Sequence, residues 1–339
     1  WIRELRASGG DWSILPQPDR AELYPNHSNT RDSPWHSAKG EILEQLEDVT
    51  LMWQVGTKGR VKAHQEGVFR WTDPRFSPEL AGMKEGKTSD TLQKILDSNK
   101  LSDGPNILPS VVQAGRSEWY PTPDIEFYVD FETVNDLADD FSRLPGRGGQ
   151  PLIFMIGCGH MENGEWVFRS FTVNHLTEPE EGEIILSWMT HMQEAVSRLS
   201  PDEQSPRIYH WSHAETSTLL NAYNSAWERH GNPEWPSLNW YDFLQNVARN
   251  EPVIIKGATG FGLKQLAKSM YKMGLIETSW EDGPSDGLGA MVGAWWASRE
   301  SGENGQPLQE IDLMQEIIDY NEVDCKVMME IVAYLRKYH

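Results

Sequence analysis

A pair of carboxylates inside an apolar segment is the feature of this sequence best able to do chemistry. In the segment 126–133, which reads EFYVDFET, Asp130 and Glu132 are two residues apart. Because residues i and i+2 of a strand point to the same face, both side chains project together, about 6–7 Å apart along the strand. Like charges held this close cost free energy unless a cation neutralises them, and a hard divalent ion is the simplest neutraliser. An edge strand with two solvated acids explains the same pattern equally well.

Two later acids are candidates for the same site. Glu215 follows a strand predicted at 207–211 and begins a predicted helix. A helix N-terminus favours a carboxylate, so stabilising that helix is also a sufficient reason for its presence. Asp324 lies four residues after Tyr320, so on a helix the two side chains share one face. That spacing can place a phenol beside a metal-bound water, although an ordinary surface turn of a helix has it too.

Neighbouring residues allow other interpretations. His210, His213 and Glu215 form a His-x-x-His-x-Glu cluster that suggests zinc, but strand alternation separates them and no cysteine is near. The other acids fit a hard ion such as Mg²⁺ or Mn²⁺ better. Lys264 can contact a phosphate, or it can be a solvated lysine of its helix.

The segment 51–75 is the most basic part of the chain and contains Lys58, Arg60 and Lys62. Its sequence VGTKGRVKAH resembles a helix–hairpin–helix motif, in which a glycine hairpin lets backbone N–H groups approach a phosphate. These three residues and Lys264 are therefore the predicted nucleic-acid contacts. The alternative is a small helical packing unit whose glycines are helix caps.

The order of predicted elements indicates how the acids are positioned. Strands are predicted at 126–132, 151–159, 165–173 and 207–211, and helices at 180–199, 215–230, 241–249, 261–273, 288–298 and 309–338. This order indicates an α/β domain with a mixed β-sheet flanked by helices. The predicted division is a helical N-terminal region at 1–100, a linker at 101–123 that is rich in proline, and the α/β domain at 124–339.

Composition narrows the class of protein. The formal net charge of −21 argues against a generic nucleic-acid coating protein, but it is compatible with a nuclease whose acids bind metal. Only two cysteines are present and the chain does not start like a signal peptide, so a cytoplasmic location is predicted. No apolar run reaches the roughly 18 residues of a membrane helix, so no membrane partner is expected.

The three acidic motifs occur in an order that resembles the DEDD exonuclease superfamily, which has a ribonuclease H-like fold, and Tyr320 matches its tyrosine subgroup. More narrowly, the segments YHWSHAE at 209–215, FGLKQLA at 261–267 and YNEVDC at 320–325 look like the ribonuclease H-like domain found C-terminal in RecB-family-type nucleases. The resemblance covers about 125–339. It departs from the superfamily at Glu215, where Asp is usual.

The resemblance implies a site with two divalent ions, Mg²⁺ or Mn²⁺. Asp130 would bridge both ions, and Glu132 and Asp324 would help to hold the ion that activates water. Glu215 would hold or support the other ion, and Tyr320 would orient the attacking water. These five residues are the predicted catalytic set, and the four acids are the predicted metal ligands.

The implied activity is a metal-dependent 3′–5′ exonuclease that hydrolyses phosphodiester bonds, with single-stranded DNA the favoured substrate and DNA repair the implied process. The same resemblance implies a RecB-like nuclease domain upstream of Trp1, or a helicase partner. The missing initial methionine suggests a piece of a longer protein. The alternative is a non-catalytic ribonuclease H-like scaffold or nucleic-acid-binding module within a larger nuclease or helicase assembly.

Overall fold

The computed structural model describes residues 1–29, 32, 35–134, 151–203, 205–211, 218–280 and 287–339. The chain divides into two compact units. The first unit comprises Trp1–Ile107 with Ile254–Gly260, and the second comprises Leu108–Val253 with Phe261–His339. The predicted linker 101–123 contains a short strand and a helical turn of its own, and the predicted domain limits stay a prediction.

The first unit is mainly helical. Its helices are α1 (Ile2–Ser8), α2 (His36–Leu46), α3 (Thr57–Gln65) and α4 (Lys87–Lys100). The short strand β1 (Ile107–Leu108), which begins at the last residue of the unit's first segment, pairs with β7 (Ile254–Ile255). In α4, Leu92, Ile95 and Leu96 recur at helical spacing and are buried, so one apolar face holds this helix in place.

The helix–hairpin–helix prediction for 51–75 is wrong, because the segment does not contain two helices joined by a glycine hairpin. All of this segment is described, and α3 is its only α-helix, preceded by a 3₁₀ turn at Val49–Leu51. Gly59 lies inside α3, where a Cβ atom would come 3.1 Å from the carbonyl oxygen of Ala81. This glycine therefore permits close packing of the helix and does not form a hairpin.

The second unit contains a mixed five-stranded sheet flanked by helices, which confirms the α/β prediction. The strands are β2 (Glu126–Val134), β3 (Leu152–Glu162), β4 (Glu165–Thr172), β5 (Arg207–His210) and β6 (Asn239–Asp242). They lie in the order β4-β3-β2-β5-β6, with β2–β3 and β3–β4 antiparallel and β2–β5 and β5–β6 parallel. The helices are α5 (Arg116–Trp119), α6 (Glu178–Leu199), α7 (Thr218–Arg229), α8 (Leu263–Lys272), α9 (Gly287–Asn304) and α10 (Asp312–Tyr338).

The hairpin β3–β4 forms as predicted, and its turn chemistry explains why. Glu162 pairs with Glu165 across a two-residue loop of Asn163 and Gly164, whose φ angles are +52° and +84°. Two positive φ angles twist the turn in the sense of the strands, and Asn-Gly is the dipeptide that adopts them most readily.

One predicted helix is partly a strand. The segment 241–249 was expected to be helical, but Asn239–Asp242 forms β6 and only Leu244–Ala248 winds, as a π-helical turn. The partner of β6 is β5, about 30 residues earlier in the chain, and all four residues of β5 pair with it. A parallel partner this distant leaves no local pattern in the sequence.

Candidate metal centre

The central strand β2 separates a core face from a polar face. Val129 and Phe131 belong to the hydrophobic core, where Phe131 packs edge-on against Trp188 of α6 with ring centroids 5.6 Å apart. Asp130 and Glu132 point the other way, toward α10, and Glu132 is only 6% exposed. The alternation expected from the sequence is therefore present, and the acids are not those of a solvated edge strand.

The helix α10 brings the third acid to this face. One carboxylate oxygen from each of Asp130, Glu132 and Asp324 lies within 4.8 Å of the others, so these residues could hold a metal ion. We call them the acidic triad. Tyr320, one turn before Asp324, hydrogen-bonds the Asp324 carboxylate. The structure thus joins three of the four predicted ligands with the predicted tyrosine, although Asp130 and Asp324 are far apart in the sequence.

Burial and mutual repulsion make the triad electrostatically unfavourable without a cation. Desolvation raises the pKa of Asp130 from its ordinary 3.8 to about 6. Desolvation and then the charges of Asp130 and Asp324 raise the pKa of Glu132 well above its usual range. Desolvation and the charge of Asp130 do the same to the pKa of Asp324. A divalent ion with a preference for oxygen ligands would relieve this repulsion, so the donor set fits Mg²⁺ or Mn²⁺.

An amide that sequence reasoning missed connects the helix to the strand acids. Asn321 is fully buried, and its Nδ2 donates to Asp130 Oδ2 at 3.2 Å and to Glu132 Oε1 at 3.4 Å. A signal was available in the sequence, because Asn321 precedes Asp324 by three residues and therefore shares its helix face.

Trp280 and Lys264 complete the surroundings of Asp324. The Trp280 Nε1–H donates to Asp324 Oδ1 at 3.2 Å, a contact for which the sequence carries no local signal. Lys264, near the start of α8, places its Nζ 4.4 Å from the centroid of the Tyr320 ring and 5.7 Å from that of Trp280. Its positive charge acts to lower the pKa of both Glu132 and Asp324, opposing their larger desolvation. The lysine predicted to contact phosphate is therefore beside the triad.

The other predicted acid cannot be placed. Glu215 and His213 lie at 212–217, outside the described residues. His210 is described: it is 1% exposed, and desolvation lowers its pKa to about 4. Among the residues with described placement, the acidic triad is the one group of potential metal ligands, and it contains no histidine.

The basic residues of the first unit divide into two kinds. Lys58 and Lys62 are exposed on α3. Arg60 is 8% exposed, and its guanidinium contacts Asp48 Oδ2 at 3.5 Å, donates to the Tyr24 carbonyl at 3.2 Å and also donates to the Pro25 carbonyl. Because its donors are used inside the unit, Arg60 is a structural residue, which corrects its prediction as a nucleic-acid contact.

No helix in the described parts of the chain is long and apolar enough to span a membrane. No family model, curated protein or solved structure matches the chain.

Proposed function

We propose that this protein is a metal-dependent nuclease, a 3′–5′ exonuclease that acts by hydrolysis of phosphodiester bonds. The observation that supports this proposal is the convergence of Asp130, Glu132 and Asp324 within 4.8 Å, with Tyr320 against Asp324. A set of three carboxylates, two of them buried, is poorly suited to bind an anionic phosphate by itself, but it becomes suitable once divalent cations reverse the local charge.

The resemblance described above supplies the finer parts of the proposal. These parts are the ribonuclease H-like character of the second unit, the 3′-to-5′ polarity, the preference for single-stranded DNA and the association with RecB-type nucleases or helicases. It also supplies the count of two ions, in which Asp130 would bridge both and Glu215 would support the second.

The bound metal would polarise phosphate oxygens and lower the pKa of a coordinated water. The acidic triad would hold it, and the Trp280 hydrogen bond would fix the orientation of Asp324. The Tyr320 hydroxyl, beside Asp324, would orient the attacking water. Lys264 would offer its ammonium to a phosphate oxygen.

The proposed reaction forms one bond to phosphorus and breaks another. The oxygen of water forms a bond to phosphorus in line with the bond to the leaving 3′-oxygen, which breaks. A proton from the water ends on that 3′-oxygen. The products are a 5′-mononucleotide and a chain that is one nucleotide shorter with a free 3′-hydroxyl.

The first prediction tests this activity with single-stranded oligonucleotides labelled at the 3′ or at the 5′ end. With Mn²⁺, the wild type should release labelled mononucleotide from the 3′-labelled strand and produce a ladder from the 5′-labelled strand. With EDTA it should do neither. Asp324→Asn should reduce the rate by about three orders of magnitude, because losing a metal ligand removes several kcal/mol of transition-state stabilisation.

The matched control is Asp319→Asn, which neutralises an exposed acid on the same helix and should leave the rate unchanged. Release of labelled mononucleotide from the 5′-labelled strand as the first product, without a ladder, would refute the polarity. Intact oligonucleotide binding with no shortening of DNA or RNA would instead favour a non-catalytic ribonuclease H-like module.

A further inference from the structure

Asn321 lies on α10, the helix that carries Asp324, and its side chain is buried against Asp130 and Glu132 of β2. Its single NH₂ group has two hydrogens, and the two acceptors within reach are Asp130 Oδ2 at 3.2 Å and Glu132 Oε1 at 3.4 Å. One amide therefore contacts both acids of β2 from α10. Each of these carboxylates keeps a second oxygen that Asn321 does not contact.

The neighbouring strand is shaped to admit this side chain. Gly157 of β3 pairs with Asp130 across the sheet. A Cβ atom at position 157 would lie 1.7 Å from Asn321 Oδ1 and 2.9 Å from its Cγ. No side chain larger than hydrogen can occupy position 157 while Asn321 keeps its place. Cys325, one turn along α10, has its Sγ 4.0 Å from the same Oδ1, so the amide oxygen lies between Gly157 of β3 and the thiol of Cys325.

The chemical nature of the side chain matters as well as its shape. An isosteric aspartate would add a fourth negative charge and would have no donor for Asp130 or Glu132. An isosteric leucine would leave the carboxylates of Asp130 and Glu132 without this donor. A neutral amide donor is the side chain that can hold two anions without competing with a metal cation for them.

We propose that Asn321 is a positioning residue for the metal site, which fixes the orientation of the Asp130 and Glu132 carboxylates so that their remaining oxygens face the cation, and that Gly157 is required to admit it. This inference rests on the metal site of the proposed function, but not on nuclease activity.

The second prediction concerns the affinity for Mn²⁺ alone, measured by isothermal titration calorimetry on the full chain. Asn321→Ala should weaken Mn²⁺ binding by about 10- to 100-fold, the range expected when a group that orients metal ligands is removed. Gly157→Ala should weaken it similarly, because the added methyl displaces an amide that is still present. Gly302→Ala in α9 is the matched control, since a Cβ there meets no atom within 4 Å, and it should bind Mn²⁺ like the wild type.

The double variant separates positioning from general damage. With Asn321 already replaced by Ala, the Gly157→Ala methyl enters vacated space, so the two losses should not add and the double variant should bind about as tightly as Asn321→Ala. Additive losses would indicate two independent packing defects and would overturn the inference. If Asn321→Ala does not fold, Gly157→Ala retains Asn321 and still tests the proposal.

Outcomes for the two proposals are distinguishable. Wild-type Mn²⁺ affinity in both single variants overturns the inference, even if the wild type degrades DNA. Weakened Mn²⁺ binding in the variants of a protein without nuclease activity supports the inference and removes the proposed function. If the wild type binds no Mn²⁺, both fail.

Discussion

Three carboxylates that converge on one face of the sheet could hold a metal ion in this protein. Desolvation raises the pKa of both Glu132 and Asp324; the charges of Asp130 and Asp324 raise that of Glu132 further, and the charge of Asp130 raises that of Asp324. Asn321 and Trp280 each donate to carboxylates of this triad, and Lys264 adds a positive charge nearby. The net charge of three carboxylates and one lysine remains negative, which is why the triad suits a divalent cation.

The third prediction follows from the raised pKa values. In EDTA, the folded protein holds protons on the triad that the unfolded chain has already released, so stability falls as pH rises from about 4 through about 6. The melting temperature of the metal-free protein should therefore be higher at about pH 5 than at about pH 8, and Mg²⁺ should raise it more at the higher pH.

Asp130→Asn separates the effect of the acidic triad on the pH dependence of stability from the effect of the acidic surface, because only one residue of the triad changes. The variant should show a weaker pH dependence in EDTA and a smaller stabilisation by Mg²⁺, measured by differential scanning calorimetry. An unchanged pH dependence in the variant would mean that Asp130 ionises as it does in an unfolded chain.

The site depends on the packing interface between β2 and α10. Near one end of this interface Asn321 contacts the two acids of β2. Near the other end Arg336 donates to Glu126 Oε2 at 2.8 Å, to the Tyr209 hydroxyl at 3.0 Å and to the Trp119 carbonyl at 2.7 Å. Glu126 also accepts from the Tyr128 hydroxyl at 2.6 Å. These contacts fix the position of the helix along the strand, so that Asp324 arrives opposite Asp130.

The fourth prediction tests this anchoring. The side chains of Arg336 and Glu126 are 9% and 12% exposed, so Arg336→Ala leaves a poorly solvated carboxylate and should lower the free energy of unfolding by about 3 kcal/mol. The control is Arg299→Ala in α9, whose partner Glu303 and own side chain are 64% and 68% exposed, with an expected change within about 0.5 kcal/mol. Urea unfolding measures both, and equal effects would contradict a special role for Arg336.

The whole molecule is strongly acidic, with 51 acidic against 30 basic residues. Such a charge repels a polyanion, so the proposed binding of nucleic acid would depend on local positive groups and on metal. Lys58 and Lys62 are exposed on α3 in the first unit, whereas Arg60 between them is buried and paired. The two lysines are therefore the residues of this helix that can reach a phosphate.

The fifth prediction concerns the salt dependence of oligonucleotide binding. If Lys58 and Lys62 each contact a phosphate, replacing either by Ala should reduce the slope of log affinity against log salt by about 0.7 for a single strand. Lys94→Ala, an exposed lysine of α4 in the same unit, is the control and should leave the slope unchanged. Fluorescence anisotropy over a range of salt measures the slopes, and equal slopes in all variants would exclude α3 from the interface.

The sequence predicted well what depends on local periodicity. Asp130 and Glu132 share a face because strands alternate, the Asn163-Gly164 turn closes its hairpin, and Tyr320 and Asp324 are together on one turn of α10. Each of these relations involves residues within a few positions of one another, where backbone geometry leaves few alternatives.

Only the tertiary structure decided the relations between distant segments. It brought Asp324 to the strand acids, placed Trp280 and Asn321 on the carboxylates, buried Arg60 and gave β5 a parallel partner in β6. Such contacts depend on how elements pack, and packing is set by volumes and hydrogen bonds summed over the whole unit. A residue's type and spacing indicate the chemistry it can do, whereas its partners across the fold determine whether it is placed to do it.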